Sequence, residues 1–120
     1  MLYQELSKKI ISAFFQVSKE LGPGLLELPY HNALYLCLEK MGLRVRYHYP
    51  LPVYFEGEQV GDYFADLLIE DKIIIEVKAV QGLSNAHMAQ LFNYLRISKC
   101  KVGFLVNFHY SRCEFRRAVV

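Results

Sequence analysis

The stretch YFADLLIEDKIIIEVKAV, Tyr63 to Val80, holds two apolar runs around a short charged segment, and charge interrupts each run: Asp66 in the first, Glu76 and Lys78 in the second. The isoleucines and valines of the second run suit a strand covered on both faces. Glu76 and Lys78 stand two residues apart, so both side chains leave such a strand on one side. Whether Asp66 joins them depends on the hairpin between the runs. A two-residue loop, Glu70-Asp71, pairs Ile69 with Lys72 and puts Asp66 opposite Ile75. A three-residue loop, Glu70 to Lys72, pairs Ile69 with Ile73 and sets Asp66 directly across from Glu76. The second register also keeps Ile75, Val77 and Ala79 on the opposite, core-facing side, and it is the register expected.

Around this hairpin the pattern changes from helix to strand and back. From about Tyr3 to Leu21, Ile10, Phe14, Val17 and Leu21 recur at helical spacing, ahead of a Gly22-Pro23-Gly24 stop. A second helix is expected from about Leu26 to Met41, with Pro29 in its first turn and Gly42 just past its end. Strands are then expected over Arg44 to Tyr49, Leu51 to Glu56, about Gly61 to Ile69 and Ile73 to Val80, with Glu56-Gly57-Glu58 as a hairpin turn. A helix over about Asn85 to Ser98 and a last strand over Lys101 to Phe108 complete the series. A strand, a helical crossover and another strand favour a mixed sheet flanked by helices, an α/β (α+β) sandwich.

The composition sets bounds on this reading. The chain has 120 residues, 53% hydrophobic and 22% charged, which is enough for one folded domain over residues 1–120 with no disulfide or metal needed for its core. Apolar runs of a few residues fall far short of the ~20 that span a bilayer, so no membrane partner is expected. Cys37, Cys100 and Cys113 are odd in number and form no CxxC pair, which suits free thiols in the cytoplasm. The net charge of +2 is too small to argue for nucleic acid by itself. Arg112, Arg116 and Arg117 near the C-terminus, and Arg44 and Arg46 before the strands, are either phosphate-positioning groups or a solvated surface.

Chemistry concentrates where Asp66, Glu76 and Lys78 converge. Carboxylates held close together repel, so they need a cation or raised pKa values. Hard oxygen ligands from Asp66 and Glu76, joined by the Val77 carbonyl, suit Mg²⁺ or Mn²⁺ with several waters retained. Lys78 is then placed to orient or deprotonate an attacking water. An E-x-K triplet alone equally describes a charge pair on a wet sheet face. The next helix adds weight, because His87, Gln90 and Tyr94 fall on one polar stripe while Met88, Leu91, Phe92 and Leu95 supply packing. His31, His48 and His109 have no partner spacing and receive no role.

Several motifs together resemble a known family. GLLELPY, with Gly24, Glu27 and Tyr30, matches the pattern of the GxxExxY proteins, and the likeness continues through VSKELGPG, the Pro50–Val80 region, HMAQLFNYLR and GFLVNF. That family is placed in the PD-(D/E)XK nuclease-like superfamily, with an αβββαβ core. The resemblance implies a Mg²⁺-dependent nuclease acting on DNA or RNA, with Asp66, Glu76 and Glu27 at the metal. It implies Lys78 as the residue assisting the water, and Gln90 and Tyr94 as a QxxxY element that positions substrate or the lysine. The alternative is a non-catalytic module that binds nucleic acid or a protein partner on the same fold. Nucleases of this size often act as a homodimer or with a partner.

Overall fold

The computed structural model describes residues 1–120. Two helices open the chain, α1 (Gln4–Leu21) and α2 (Glu27–Lys40), followed by strands β1 (Val45–Phe55), β2 (Glu58–Ile69) and β3 (Ile73–Lys78). Helix α3 (Asn85–Ser98) leads to β4 (Val102–Asn107) and β5 (Glu114–Val119). The strands form one mixed sheet in the order β1-β2-β3-β4-β5. Only β3 and β4 run parallel, and α3 makes the crossover between them, as parallel neighbours require.

Apolar clusters lie on both faces of the sheet. On one, Ile10, Phe14 and Val17 of α1 and Tyr30, Leu34 and Leu38 of α2 meet Ile73, Ile75, Val77 and Phe104. On the other, Leu91 and Leu95 of α3 meet Leu51, Leu68, Ile74 and Leu105. Strand β3 is therefore covered on both sides, and every residue from Ile73 to Val77 is buried, Glu76 included. The approach of α3 depends on Gly103: a Cβ there would stand 2.9 Å from Leu91 Cδ1, 3.2 Å from Leu95 Cδ2 and 3.3 Å from the Ile74 carbonyl oxygen. Its missing side chain lets the helix settle against β3 and β4.

Register follows the three-residue loop. Ile69 pairs with Ile73, Leu68 with Ile74 and Leu67 with Ile75. The turn residues Glu70 and Asp71 adopt φ of 54° and 56°, a left-handed pair that acidic side chains tolerate better than branched ones.

Four expectations need correction. The segments on either side of Pro50 form one strand, because β1 is an edge strand and the N–H that Pro50 and Pro52 lack is not needed for a second neighbour. Strand β2 begins at Glu58, three residues before Gly61. Arg116 and Arg117 lie in an additional strand, β5, whose half-exposed edge position leaves only Ala118 buried, and Arg112 lies in the loop before it. Phe92 is 40% exposed and supplies no core packing, whereas Leu91 and Leu95 are fully buried.

Strict alternation also breaks at one point. Leu67 belongs to the cluster under α1 and α2, while Ala65, two residues away, belongs to the cluster under α3. The partner strand does the same between Tyr47 and Tyr49, around His48 with its left-handed φ of 52°. The sheet changes face at this step, and Asp66 sits on it.

Candidate active site

The regular β2–β3 ladder ends at Leu67 and Ile75, and at the next step two side chains take over from the backbone. The Asp66 N–H donates to Glu76 Oε2 at 2.7 Å. The Val77 N–H donates to Asp66 Oδ2, also at 2.7 Å. Each carboxylate thus accepts from the opposite strand, which fixes both groups side by side with one oxygen each left over. His31 Nε2 stands 2.9 Å from the Asp66 carbonyl oxygen and secures the same peptide from the α2 side.

A cavity of about 410 Å³ opens over this pair, and Glu27, Asp66, Glu76, Lys78, Gln90 and Tyr94 all line it. These are the six residues that the sequence singles out, drawn from α2, β2, β3 and α3. Glu27 comes from the first turn of α2, and its Oε1 accepts from the Ala79 N–H at 3.4 Å. Lys78 is half-buried at the end of β3 and forms neither an ion pair nor a side-chain hydrogen bond with either carboxylate. The cross-strand charge pair is therefore not formed. His87 stays out of the cavity: its Nδ1 accepts from the Ser84 N–H and the Ser84 hydroxyl accepts from the His87 N–H, a reciprocal cap that starts α3.

Electrostatics here are set by burial. Glu76 is 4% exposed, and its pKa is pushed up to about 8, chiefly by loss of water and then by the neighbouring Asp66. The hydrogen bond from the Asp66 amide and the charge of Lys78 oppose this without cancelling it. Tyr94 is pushed up to about 12 by burial and by the two carboxylates, which disfavour a second negative charge beside them. A buried carboxyl that is costly to ionise, next to a second carboxyl, is a setting in which a divalent cation lowers the free energy of the charged pair.

The donor set defines the kind of ion. No three His, Cys, Asp or Glu side chains come together as a protein-only metal cage. Two adjoining carboxylates with an open cavity above them fit a hard, water-rich ion such as Mg²⁺ or Mn²⁺, which typically takes one or two carboxylates from the protein. Glu27, turned to the Ala79 amide, stands at the rim of this pair.

The GxxExxY residues now have a physical account. Tyr30 is fully buried, stacks on Phe108 with ring centroids 4.8 Å apart, donates its hydroxyl to the Gly22 carbonyl at 2.6 Å and accepts from the Leu25 N–H at 3.2 Å. Gly24 between them has φ of 102°, a conformation that side chains avoid. Gly24 and Tyr30 thus set the turn that aims Glu27 at the end of β3.

Sequence reasoning passed over His31 and Phe64, both of which line the cavity. His31 lies four residues after Glu27, one turn along α2, and stacks on Tyr47 at 4.3 Å. That spacing was the available signal, and it gains meaning only once α2 is known to cross the end of β2.

Comparison with known proteins agrees with this fold. The crystal structure of SSO0001 superposes with a TM-score of 0.60 at 23% identity, over 98% of this chain and 59% of that one. The chain thus spans about three fifths of that protein's length, and the likeness is one of fold. Among curated proteins no sequence match is found. A family model described as the PD-(D/E)XK nuclease superfamily matches residues 4–118. With Asp66, Glu76 and Lys78 standing in the D…E-x-K order at the broken end of the β2–β3 ladder, the chain belongs to the PD-(D/E)XK nuclease superfamily.

Proposed function

We propose that the protein hydrolyses phosphodiester bonds of DNA or RNA with Mg²⁺ or Mn²⁺ held by Asp66 and Glu76. The observation that carries this reading is the pair of 2.7 Å bonds that locks the two carboxylates together in a buried, open-mouthed site. The nuclease superfamily supports the reaction class, and the resemblance to GxxExxY proteins supports the narrower assignment.

Asp66 and Glu76 would hold the ion, with the Val77 carbonyl as a further oxygen donor, while one oxygen of each carboxylate stays bonded to an amide of the opposite strand. Glu27 acts from the rim. When bound, the cation polarises a phosphoryl oxygen and acidifies water. Lys78, free of any ion pair, orients the attacking water and assists its deprotonation. It also stabilises the negative charge that develops as the new P–O bond forms and the bond to the leaving oxygen breaks, that oxygen taking a proton from solvent. The Gln90 amide and the Tyr94 hydroxyl hold the phosphate against Lys78.

The chain works as one domain, and its free cysteines suit the reducing cytoplasm; no helix is long and apolar enough to cross a membrane. Exposed Tyr54, Phe55 and Val60 on the β1–β2 ribbon suit a second copy or a protein partner.

The test is Mn²⁺ calorimetry on the wild type and on Glu76→Ala, beside cleavage of labelled DNA and RNA. Binding that vanishes with Glu76, together with cleavage, is the expected outcome. Binding without cleavage would favour a non-catalytic binding module, and absent binding would return the two carboxyls to a structural role.

A further inference from the structure

A second cavity, about 580 Å³, adjoins the first and shares Gln90 and Tyr94 with it as a common wall. Its two sides are α3 and the β1–β2 ribbon. Ala86, Ala89, Asn93 and Ile97 recur along one face of α3, and the alanines leave the space opposite the ribbon unfilled. From the ribbon come Val53 and Tyr63, paired with Gly61 and Leu51 respectively. A Cβ at Gly61 would lie 3.3 Å from Val53 Cβ, a tight approach, and 3.6 Å from the Tyr63 ring, an ordinary contact. Tyr63 is 50% exposed, with its ring centroid 6.0 Å from that of Tyr94.

The chemistry of this groove differs from that of its neighbour. None of its nine lining residues is acidic, and Arg96 supplies a cation. The Arg96 Nη2 donates to Asn93 Oδ1 at 2.7 Å, which steadies the guanidinium and leaves the Asn93 amide N–H groups free to donate. An aromatic face, an amide and a guanidinium without a carboxylate complement a base, its hydrogen-bonding edge and a phosphodiester. A stacking platform beside a backbone cation is how single strands are held, because every unpaired base offers a π-face. A paired base in a duplex has both faces covered by its neighbours and cannot enter.

We infer that the groove between α3 and the β1–β2 ribbon binds the unpaired nucleotide next to the scissile phosphate, with its base on Tyr63 and its backbone at Arg96, making single-stranded nucleic acid the substrate. The inference rests on the phosphodiesterase reading above, since the shared wall of Gln90 and Tyr94 is what places the nucleotide beside the carboxylates.

The test is fluorescence anisotropy in Mn²⁺ with 5′-labelled 12-mers of single-stranded DNA, single-stranded RNA and the DNA duplex. The protein is the full chain in a Lys78→Ala background, with cleavage of the same probes by the wild-type chain measured alongside. Adding Tyr63→Ala is expected to weaken single-strand binding about tenfold, the scale of one lost base stack, and to leave duplex binding unchanged. Tyr63→Phe should restore it, and an abasic nucleotide in the strand should abolish the difference that Tyr63→Ala makes. Arg96→Ala should reduce the salt dependence of binding by about one phosphate contact. The tighter of the DNA and RNA probes identifies the sugar preferred. Cleavage by the wild type with a silent Tyr63→Ala, or a duplex bound as tightly as the single strand, would overturn the groove assignment and leave the nuclease reading standing. Neither binding nor cleavage of any probe would overturn both.

Discussion

Asp66 and Glu76 each accept a backbone N–H from the other's strand at 2.7 Å, so the two carboxylates complete the sheet at the point where its own ladder stops. They are held by the fold itself, independently of any ion. This places the acidic pair under two demands, hydrogen bonding across the strands and ionisation in a buried site, and the first prediction concerns the second of these.

Because Glu76 keeps its proton up to about pH 8 in the folded chain but loses it near 4.5 when unfolded, the folded state binds more protons between those values. Its contribution to stability is fully present below the unfolded pKa and is lost as pH rises through about 8. The cation-free protein should therefore lose stability across that window, with a slope from this group of at most ~1.4 kcal/mol per pH unit. Glu76→Gln should flatten the slope. Urea unfolding at several pH values between 5 and 8 with EDTA checks this, and parallel profiles for the two proteins would refute it.

The Lys78 side chain forms no ion pair within the fold. Lys78→Ala should leave the melting temperature and Mn²⁺ affinity close to those of the wild type while cleavage falls by roughly 10²- to 10⁴-fold, the range for loss of a proton-transfer group. Calorimetry and single-turnover cleavage on one preparation separate the two effects. Persistent cleavage would remove Lys78 from the reaction.

Tyr30→Phe keeps the stack on Phe108 but removes the hydroxyl that joins the Gly22 carbonyl to the Leu25 amide. The expected cost is about 0.5–1.5 kcal/mol, the net worth of such a hydrogen bond where Gly22 and Leu25 stay within reach of water. Cleavage should fall with it, because Glu27 follows that turn. A variant as stable as the wild type would mean that water replaces the hydroxyl.

Gly103→Val tests the seating of α3. The added side chain meets Leu91, Leu95 and the Ile74 carbonyl in a closed core, and overpacking of this kind typically costs about 1–3 kcal/mol. Gln90 and Tyr94 ride on the displaced helix, so activity should drop further than stability does. Thermal melts beside cleavage rates give the comparison, and a rate that only tracks the folded fraction would argue against a positional effect.

The hairpin was legible because, of the two registers open to it, only the one with a three-residue turn brings Asp66 to Glu76, and that register pairs Ile69 with Ile73. The helix faces were legible from periodicity, with Phe92 misread because α3 is buried along a narrow strip of Leu91, Tyr94 and Leu95 and open on either side. Strand β5 was hidden by its composition: EFRRAV at a sheet edge has arginines where an interior strand would have valines. Pro50 suggested a break because the sequence does not say which strand lies at the edge. The face change at Asp66 and His48 lies beyond any period-two reading, since it arises where two strands twist together. His31 was missed for the same reason. Its partner, the Asp66 carbonyl, is 35 residues away and is brought to it only by the packing of α2 on the sheet.

The reciprocal carboxylate lock also bears on how a chain of this kind would change under drift. Substituting Asp66 or Glu76 by a residue with no side-chain oxygen leaves a strand amide without its acceptor, so selection for folding alone would preserve an acid or its amide at both positions. Lys78 has no such protection, since its loss breaks no bond in the fold. Among descendants that only bind, the lysine should be the first residue of the site to disappear and the acids the last. The lysine, rather than either acid, is therefore the position in the site that folding alone leaves free to vary.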